Sequence, residues 1–161
     1  MSTLYVDNLQ PNLGSRVMAA GHVVQVVSGS VSSETDLTSS GTWVDLTGGA
    51  LAITPSSTTS KILCTVSQPF RLGASSGYMR GSVRLLRGST VVWNTQSYSE
   101  HLQVRNANNE YNDIVTFSHL DSPSTTSSTT YKIQGYLHTG SLARFYPESY
   151  GSSIILQEIA Q

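Results

Sequence analysis

Residues 79–96 read MRGSVRLLRGSTVVWNTQ, two runs of alternating side chains separated by Gly88-Ser89. Successive side chains of a strand point to opposite faces, so Val83 and Leu85 share one face while Ser82, Arg84 and Leu86 share the other. Glycine adopts the positive φ that a tight hairpin turn needs, and the stretch therefore predicts a β-hairpin closed at Gly88. Leu86 makes the second face less polar than a fully solvated one, which predicts partial cover by a neighbour.

The same period of two recurs along the chain between Gly, Ser, Asn and Pro clusters, and helical periodicity is nearly absent. Strands are predicted over 22–28, 42–46, 50–54, 61–68, 79–87, 90–97, 112–119, 130–138 and 152–159. That many short strands leave long edges as one flat sheet, so two packed antiparallel sheets follow, a β-sandwich of jelly-roll type. The entry into the fourth strand, TPSSTTS at 54–60, and the related SPSTTSS at 122–128 read as corners. Proline fixes φ and lacks a donor, and the hydroxyls bond locally to backbone.

Bulk composition fits this reading. The chain has 161 residues, suited to one domain, with a formal net charge of −1 and only 12% charged residues. Neither the basic excess of a phosphate-backbone binder nor an acidic tail is present, so nucleic acid is a poor partner. Ser and Thr number 44, yet the 38% hydrophobic content with eight Tyr and two Trp supports a packed core. Cys64, the single cysteine, lies between Ile62 and Val66 and reads as a small buried hydrophobe. The start MSTLYVDNLQ lacks a signal-peptide pattern and no segment approaches a membrane span, which predicts synthesis in the cytoplasm and no membrane insertion.

Residues 1–21 differ from the rest. Pro11, Gly14 and Gly21 interrupt any long strand, so the chain divides into an amino-terminal arm, 1–21, and a β-sandwich head, 22–161.

The chemistry-bearing residues form no catalytic pattern. His22, His101, His119 and His138 are scattered without metal-ligand spacing, so neither metal nor cofactor is expected. Carboxylates are many, but spacing cannot pair them across a sugar cleft, and no G-x-S-x-G elbow occurs. An enzyme is not expected. Trp43 and Trp93 fall inside strand patterns and are assigned to the core or the space between sheets. Tyr98, Tyr111, Tyr146 and Tyr150, together with Asn108, lie in predicted loops, where amphipathic rings and amides suit contact with a sugar or a protein partner as well as packing at loop bases.

The segments VDNLQPNLGSRVMAAGHVVQVVS, TWVDLTGGALAITPSSTTSKILCTVS and YGSSIILQEIAQ resemble small fibre-like virion proteins of tailed bacteriophages, many from marine and cyanobacterial phages. The resemblance spans most of the chain. It rests on Gly21, Val23, Gln25 and Val26, on the T-W-V-D and I-T-P-S-S-x-x-S-K-I-L patterns, and on the closing Glu158-Ile159-Ala160. It implies a homotrimeric, non-enzymatic virion protein, either a short tail or baseplate fibre for host attachment or a capsid decoration protein. A lectin-like carbohydrate-binding module is the contrasting reading. In the fibre reading Leu4, Tyr5, Val6 and Leu9 of the arm dock onto other virion proteins, and the loop residues Tyr98, Asn108, Tyr111, Tyr146 and Tyr150 contact the partner or a host surface glycan.

Overall fold

The computed structural model describes residues 19–74, 77–95, 102–105, 109–146 and 148–161. The arm residues Leu4, Tyr5, Val6 and Leu9, and the loop residues Tyr98 and Asn108, lie outside them. Within them run the strands β1 (Val23–Gly29), β2 (Thr35–Leu37), β3 (Trp43–Ile53), β4 (Lys61–Ala74), β5 (Tyr78–Arg87) and β6 (Thr90–Asn94). There follow β7 (Leu102–Arg105), β8 (Asn109–Asp121), β9 (Thr129–Thr139), β10 (Leu142–Phe145), a 3-10 turn at Glu148–Tyr150, and β11 (Ser153–Ile159).

All pairings are antiparallel. The larger sheet runs β1-β11-β4-β8, with β10 and β2 continuing from the far half of β4. The smaller runs β3-β9-β5-β6, with β7 beside β6 on the same edge of β5. The described chain passes between sheets six times, at β2 to β3, β3 to β4, β4 to β5, β7 to β8, β8 to β9 and β9 to β10, which gives the two-sheet sandwich the strand pattern predicted. Between the sheets lie Ile62, Cys64, Val66, Phe70 and Leu72 of β4, Met79, Val83 and Leu85 of β5, Tyr131, Ile133 and Leu137 of β9, and Ile154 and Leu156 of β11. Cys64 is wholly buried, and burial together with the nearby Asp121 charge pushes its thiol pKa up to about 12. It is an inert core residue.

The expected hairpin forms between β5 and β6, with Arg87 opposite Thr90 and Gly88 at φ +57°. Leu86 on its outward face is only 4% exposed, flanked in register by Val91 and Lys132. Trp93 stacks on Phe117 of the other sheet, centroids 3.6 Å apart, closing one side of the sandwich. The core assignment fails for Trp43. Its register partner Tyr136 is flanked by the inward, buried Gly135 and Leu137, so Tyr136 and Trp43 both face outward, and Trp43 is half-buried.

Other boundaries also differ from expectation: β8 begins at Asn109 rather than at 112, so Tyr111 stands in a strand paired with β4 and not in a loop. The segments 42–46 and 50–54 are one strand, β3, bent by a bulge between Asp45 and Ala50 where Gly48 takes φ +79°. β4 continues past Pro69 to Ala74. The short strands β2, β7 and β10 were not expected at all.

Both hydroxyl-rich corners are held by a buried carboxylate. Glu158 is fully buried and accepts from Ser56 N at 2.7 Å, Ser56 Oγ at 2.6 Å and Gln25 Nε2 at 2.6 Å. At the other corner Asp121 accepts from Arg87 Nη1 at 2.7 Å and from the Tyr131 hydroxyl at 2.6 Å, while Arg87 also donates to Ser122 O. Charge-assisted bonds of this kind offset the cost of burying the charge.

Burial alone would raise the pKa of Glu158, but hydrogen bonds from Ser56, Gln25 and Ser60 outweigh it and hold the value below 4.5. A lowered folded-state pKa adds stability above the unfolded value, lost as pH falls through the folded one. Glu158→Gln should therefore destabilise the protein by about 1.5–3 kcal/mol at neutral pH. The difference should shrink below pH 4.5, the unfolded value, as the wild-type carboxylate protonates. Urea unfolding at a series of pH values checks this; a gap unchanged down to the acid limit contradicts it.

Candidate functional site

Where β10 replaces β11 beside β4, two shallow depressions flank Pro69 and Phe70. One, of about 410 Å³, is lined by Pro69, Phe70, Asn112, Asp113, Ile114, Tyr146 and Tyr150. The other, of about 320 Å³, is lined by Phe70, Trp93, Leu102 and the β8 segment 113–117, and so shares Phe70, Asp113 and Ile114 with the first. Among the described residues β8 pairs only with β4, which makes it an edge strand beside this region.

Local structure explains the placement. The Tyr146 amide donates to Pro69 O at 3.0 Å, continuing the β10 pairing by one residue. The chain then turns through Glu148–Tyr150, bringing the Tyr150 ring to 4.7 Å from that of Tyr146. Tyr150 is 59% exposed and Ile114 53%, so the first depression presents aromatic and aliphatic surface to solvent. Across it, Tyr111 packs 6.4 Å from Phe70 and its hydroxyl donates to Asp113 Oδ2 at 2.6 Å. The Ile114 amide donates to Asp113 Oδ1 at 2.8 Å. The Tyr111 hydroxyl and then the Ile114 amide hold the Asp113 carboxyl below its ordinary range, and the same contact raises the Tyr111 pKa.

Of the sequence-predicted contact residues, Tyr146 and Tyr150 thus share one depression, and Tyr111 borders it through Asp113. Sequence reasoning missed Pro69, Asn112, Asp113 and Ile114. A signal was present: in NEYNDIVTFSHLD, Ile114 and Leu120 alternate with Val115 and Phe117, so both faces of the strand carry apolar groups.

Elsewhere the carboxylates have structural partners. Asp36 takes two bonds of 2.6 Å from Arg144, which also reaches Glu34 at 3.3 Å; Glu110 pairs with Arg71 at 2.7 Å; Asp45 pairs with Lys132 at 2.9 Å. Among the described residues, no group of three or more His, Cys, Asp or Glu is placed to hold a metal. No helix among them is long and apolar enough to cross a membrane.

No family model matches the chain, and no curated protein matches it. Similar solved structures include infectious bursal disease virus Gt strain, with a TM-score of 0.49 at 11% identity over 96% of this chain and 36% of that one. The Gx strain gives 0.48 at 10%, over 98% and 37%, and the VP2 subviral particle 0.46 at 12%, over 98% and 37%. The chain therefore spans well under half of the chains it resembles. Likeness at this level says nothing of what the chain does.

Tyr111→Phe removes the phenolic donor to Asp113. In a carboxyl NMR titration the wild-type Asp113 midpoint should lie below 3.8, the ordinary value, and the variant's should rise toward it. An unmoved midpoint would show that the Ile114 amide alone sets the acidity.

Proposed function

We propose that the chain is a non-enzymatic structural protein of a tailed-phage virion, a short tail or baseplate fibre that assembles as a homotrimer and contacts the host surface. The fibre resemblance of the sequence is the origin of this reading. The observation that carries it beyond the sequence is the outward face of the larger sheet. Register places Val23 and Val26 of β1, Ile155 and Ile159 of β11, Leu63 of β4, and Ile114 and Leu120 of β8 on that side. Val23, Val26, Ile114 and Leu120 are each about half exposed, at 49%, 53%, 53% and 50%. Between them stand Ser28, Ser153, Gln157, Thr65, Ser67, Thr116 and Ser118, with Lys61 the one charge among these outward positions.

An apolar face of this extent with so little charge favours association over solvation. With Lys61 as the single charge there, a second copy of the chain meets little like-charge repulsion, and a closed ring of copies buries the face on each. The depression at Tyr146 and Tyr150 lies at the β10 end of the same sheet and shares only Ile114 with this apolar set, so a trimer centred on Val23, Val26 and Leu120 leaves Tyr146 and Tyr150 available for attachment. The bonded or ion-paired state of Asp36, Asp45, Glu110, Asp113, Asp121 and Glu158 supports a binding role over a hydrolytic one.

Light scattering on the purified full chain should report three copies at micromolar concentration. Leu120→Lys and Val26→Lys should each give monomers with unchanged far-UV circular dichroism. A wild-type monomer would overturn the trimer. On particles, an antibody to the chain should label the tail, and Tyr150→Ala should lower host-cell adsorption with an unshifted melting temperature. Labelling over the capsid with normal adsorption would assign a decoration role instead.

A further inference from the structure

The outward side of the smaller sheet has a different chemistry. Register aligns two rows across its strands: Ser82, Tyr136 and Trp43 in one, and Asn94, Arg84, Gln134 and Asp45 in the next. Two residues along a strand separate the rows, about 7 Å. An aromatic row therefore lies beside a hydrogen-bonding row at roughly the span of one sugar ring.

Both rows are fixed in place. The Trp43 and Tyr136 rings lie 5.0 Å apart, and Tyr136 meets His138 at 4.3 Å, where His138 Nε2 is 2.8 Å from Ser82 Oγ. The Arg84 guanidinium sits 4.2 Å from the Trp43 ring centroid and its Nε donates to Gln134 Oε1 at 2.7 Å. Gln134 Nε2 donates to Asp45 Oδ1, and Lys132 Nζ donates to Asp45 Oδ2 at 2.9 Å. Bonds from Lys132 and then Gln134 hold the Asp45 pKa below 3.8, so it is a carboxylate acceptor at neutral pH. Its side chain is nonetheless 55% exposed, and the Lys132 side chain 27%.

We propose that this face is a saccharide-binding platform, on which a hexose chain lays its C–H face along Tyr136 and the side of Trp43 that Arg84 leaves open and directs its hydroxyls to Asp45 and Lys132, with the buried Gln134 holding Asp45 in place. Sugar hydroxyls both donate and accept, and the row offers a carboxylate acceptor beside an ammonium donor. Side chains already cross-linked lose little freedom on binding, which favours affinity without a deep pocket. A protein partner fits less well, because an interface centre is apolar and dry, whereas these rings are bordered by charged and amide groups. Nucleic acid fits less well still, because Asp45 would face the phosphates. The platform is separate from the Tyr146–Tyr150 depression and does not depend on where in a particle the chain sits.

The chain has two tryptophans, so Trp93→Phe leaves Trp43 as the single indole reporter. In that background the full chain is screened on a printed glycan array, and hits are titrated beside chitohexaose, cellohexaose and mannohexaose while indole emission is followed. At least one saccharide should give a saturable blue shift. Asp45→Ala, at an exposed position, and Trp43→Ala, read by calorimetry, should each weaken binding by about tenfold or more, as loss of a principal contact does. Their melting temperatures should stay near the parent's. The proposal is overturned if no glycan moves the Trp43 emission, if affinity survives in Asp45→Ala with the fold intact, or if Trp43→Ala abolishes a protein contact while leaving glycan binding whole.

Discussion

The sandwich is organised by what happens along the two edges of β4. On one edge β8 stays paired from Ile62 to Ala74; on the other, β11 is the partner up to Ser67 and β10 from Phe70 onward. Pro69 sits at the exchange. In an antiparallel strand the N and C=O of one residue point to the same edge. Pro69 O accepts from Tyr146, so its nitrogen faces the gap between β11 and β10, where no partner asks for a donor. The missing ladder bonds are supplied by Gln68, which is wholly buried. Its Nε2 donates to Pro69 O and Tyr146 O, both at 2.9 Å, and its Oε1 accepts from Ser152 Oγ at 3.0 Å. Ser152 Oγ in turn accepts from the Val31 amide. An apolar residue at 68 would take the Gln68 partner from Tyr146 O and from the Ser152 hydroxyl, at about 1–3 kcal/mol for each group left unsatisfied, while Pro69 O would keep the Tyr146 amide.

The character of the outer surface changes at the same point. Alongside β11 the outward residues are aliphatic and hydroxylic. Alongside β10 the register row reads Asp36, Arg144, Arg71 and Asn112, a ladder in which the adjacent arginines are neutralised by Asp36 and Glu34 on one side and Glu110 on the other. The depression with Tyr146 and Tyr150 lies on this boundary, because the turn that leaves β10 and rejoins β11 must pass there. One buried amide thus positions both the topology and the candidate site.

Much of the fold was legible in the sequence because most strands bury one face, and period two with glycine punctuation exposes that directly. β1, β5, β6, β9 and β11 were placed to within a residue or a few. What escaped has identifiable causes. β2 and β10 have three and four residues, too short for a period to register. β3 read as two strands because Thr47-Gly48-Gly49 looks like a turn, whereas a bulge keeps the ladder continuous. Pro69 read as a strand end because sequence shows the lost donor and not the gap it faces. Trp43 was assigned to the core on size alone; its alternation with Val44 and Asp45 could not say which face was inward until Tyr136 and Gly135 fixed it across the sheet. Tyr146 and Tyr150 were read together as aromatics of one loop region, but the depression they share is completed by residues 112–114 of β8, more than thirty residues away in sequence.

The two outer faces cannot serve one purpose. Both sheets commit their inward positions to a shared core, and their outward positions differ in chemistry. In the larger sheet those positions hold aliphatic side chains whose burial is favourable at about 25 cal/mol per Å² regardless of orientation, a force suited to gathering identical copies. In the smaller sheet they hold rings braced by directional bonds between Arg84, Gln134, Asp45 and Lys132, whose worth depends on a ligand presenting the right partners at the right places. Non-directional attraction on one side leaves the directional side outermost in any assembly closed along the first. If the chain assembles as proposed through its larger sheet, the proposed saccharide-binding rows of the smaller one are repeated on one rigid body, and weak contacts repeated in that way add as avidity rather than as affinity.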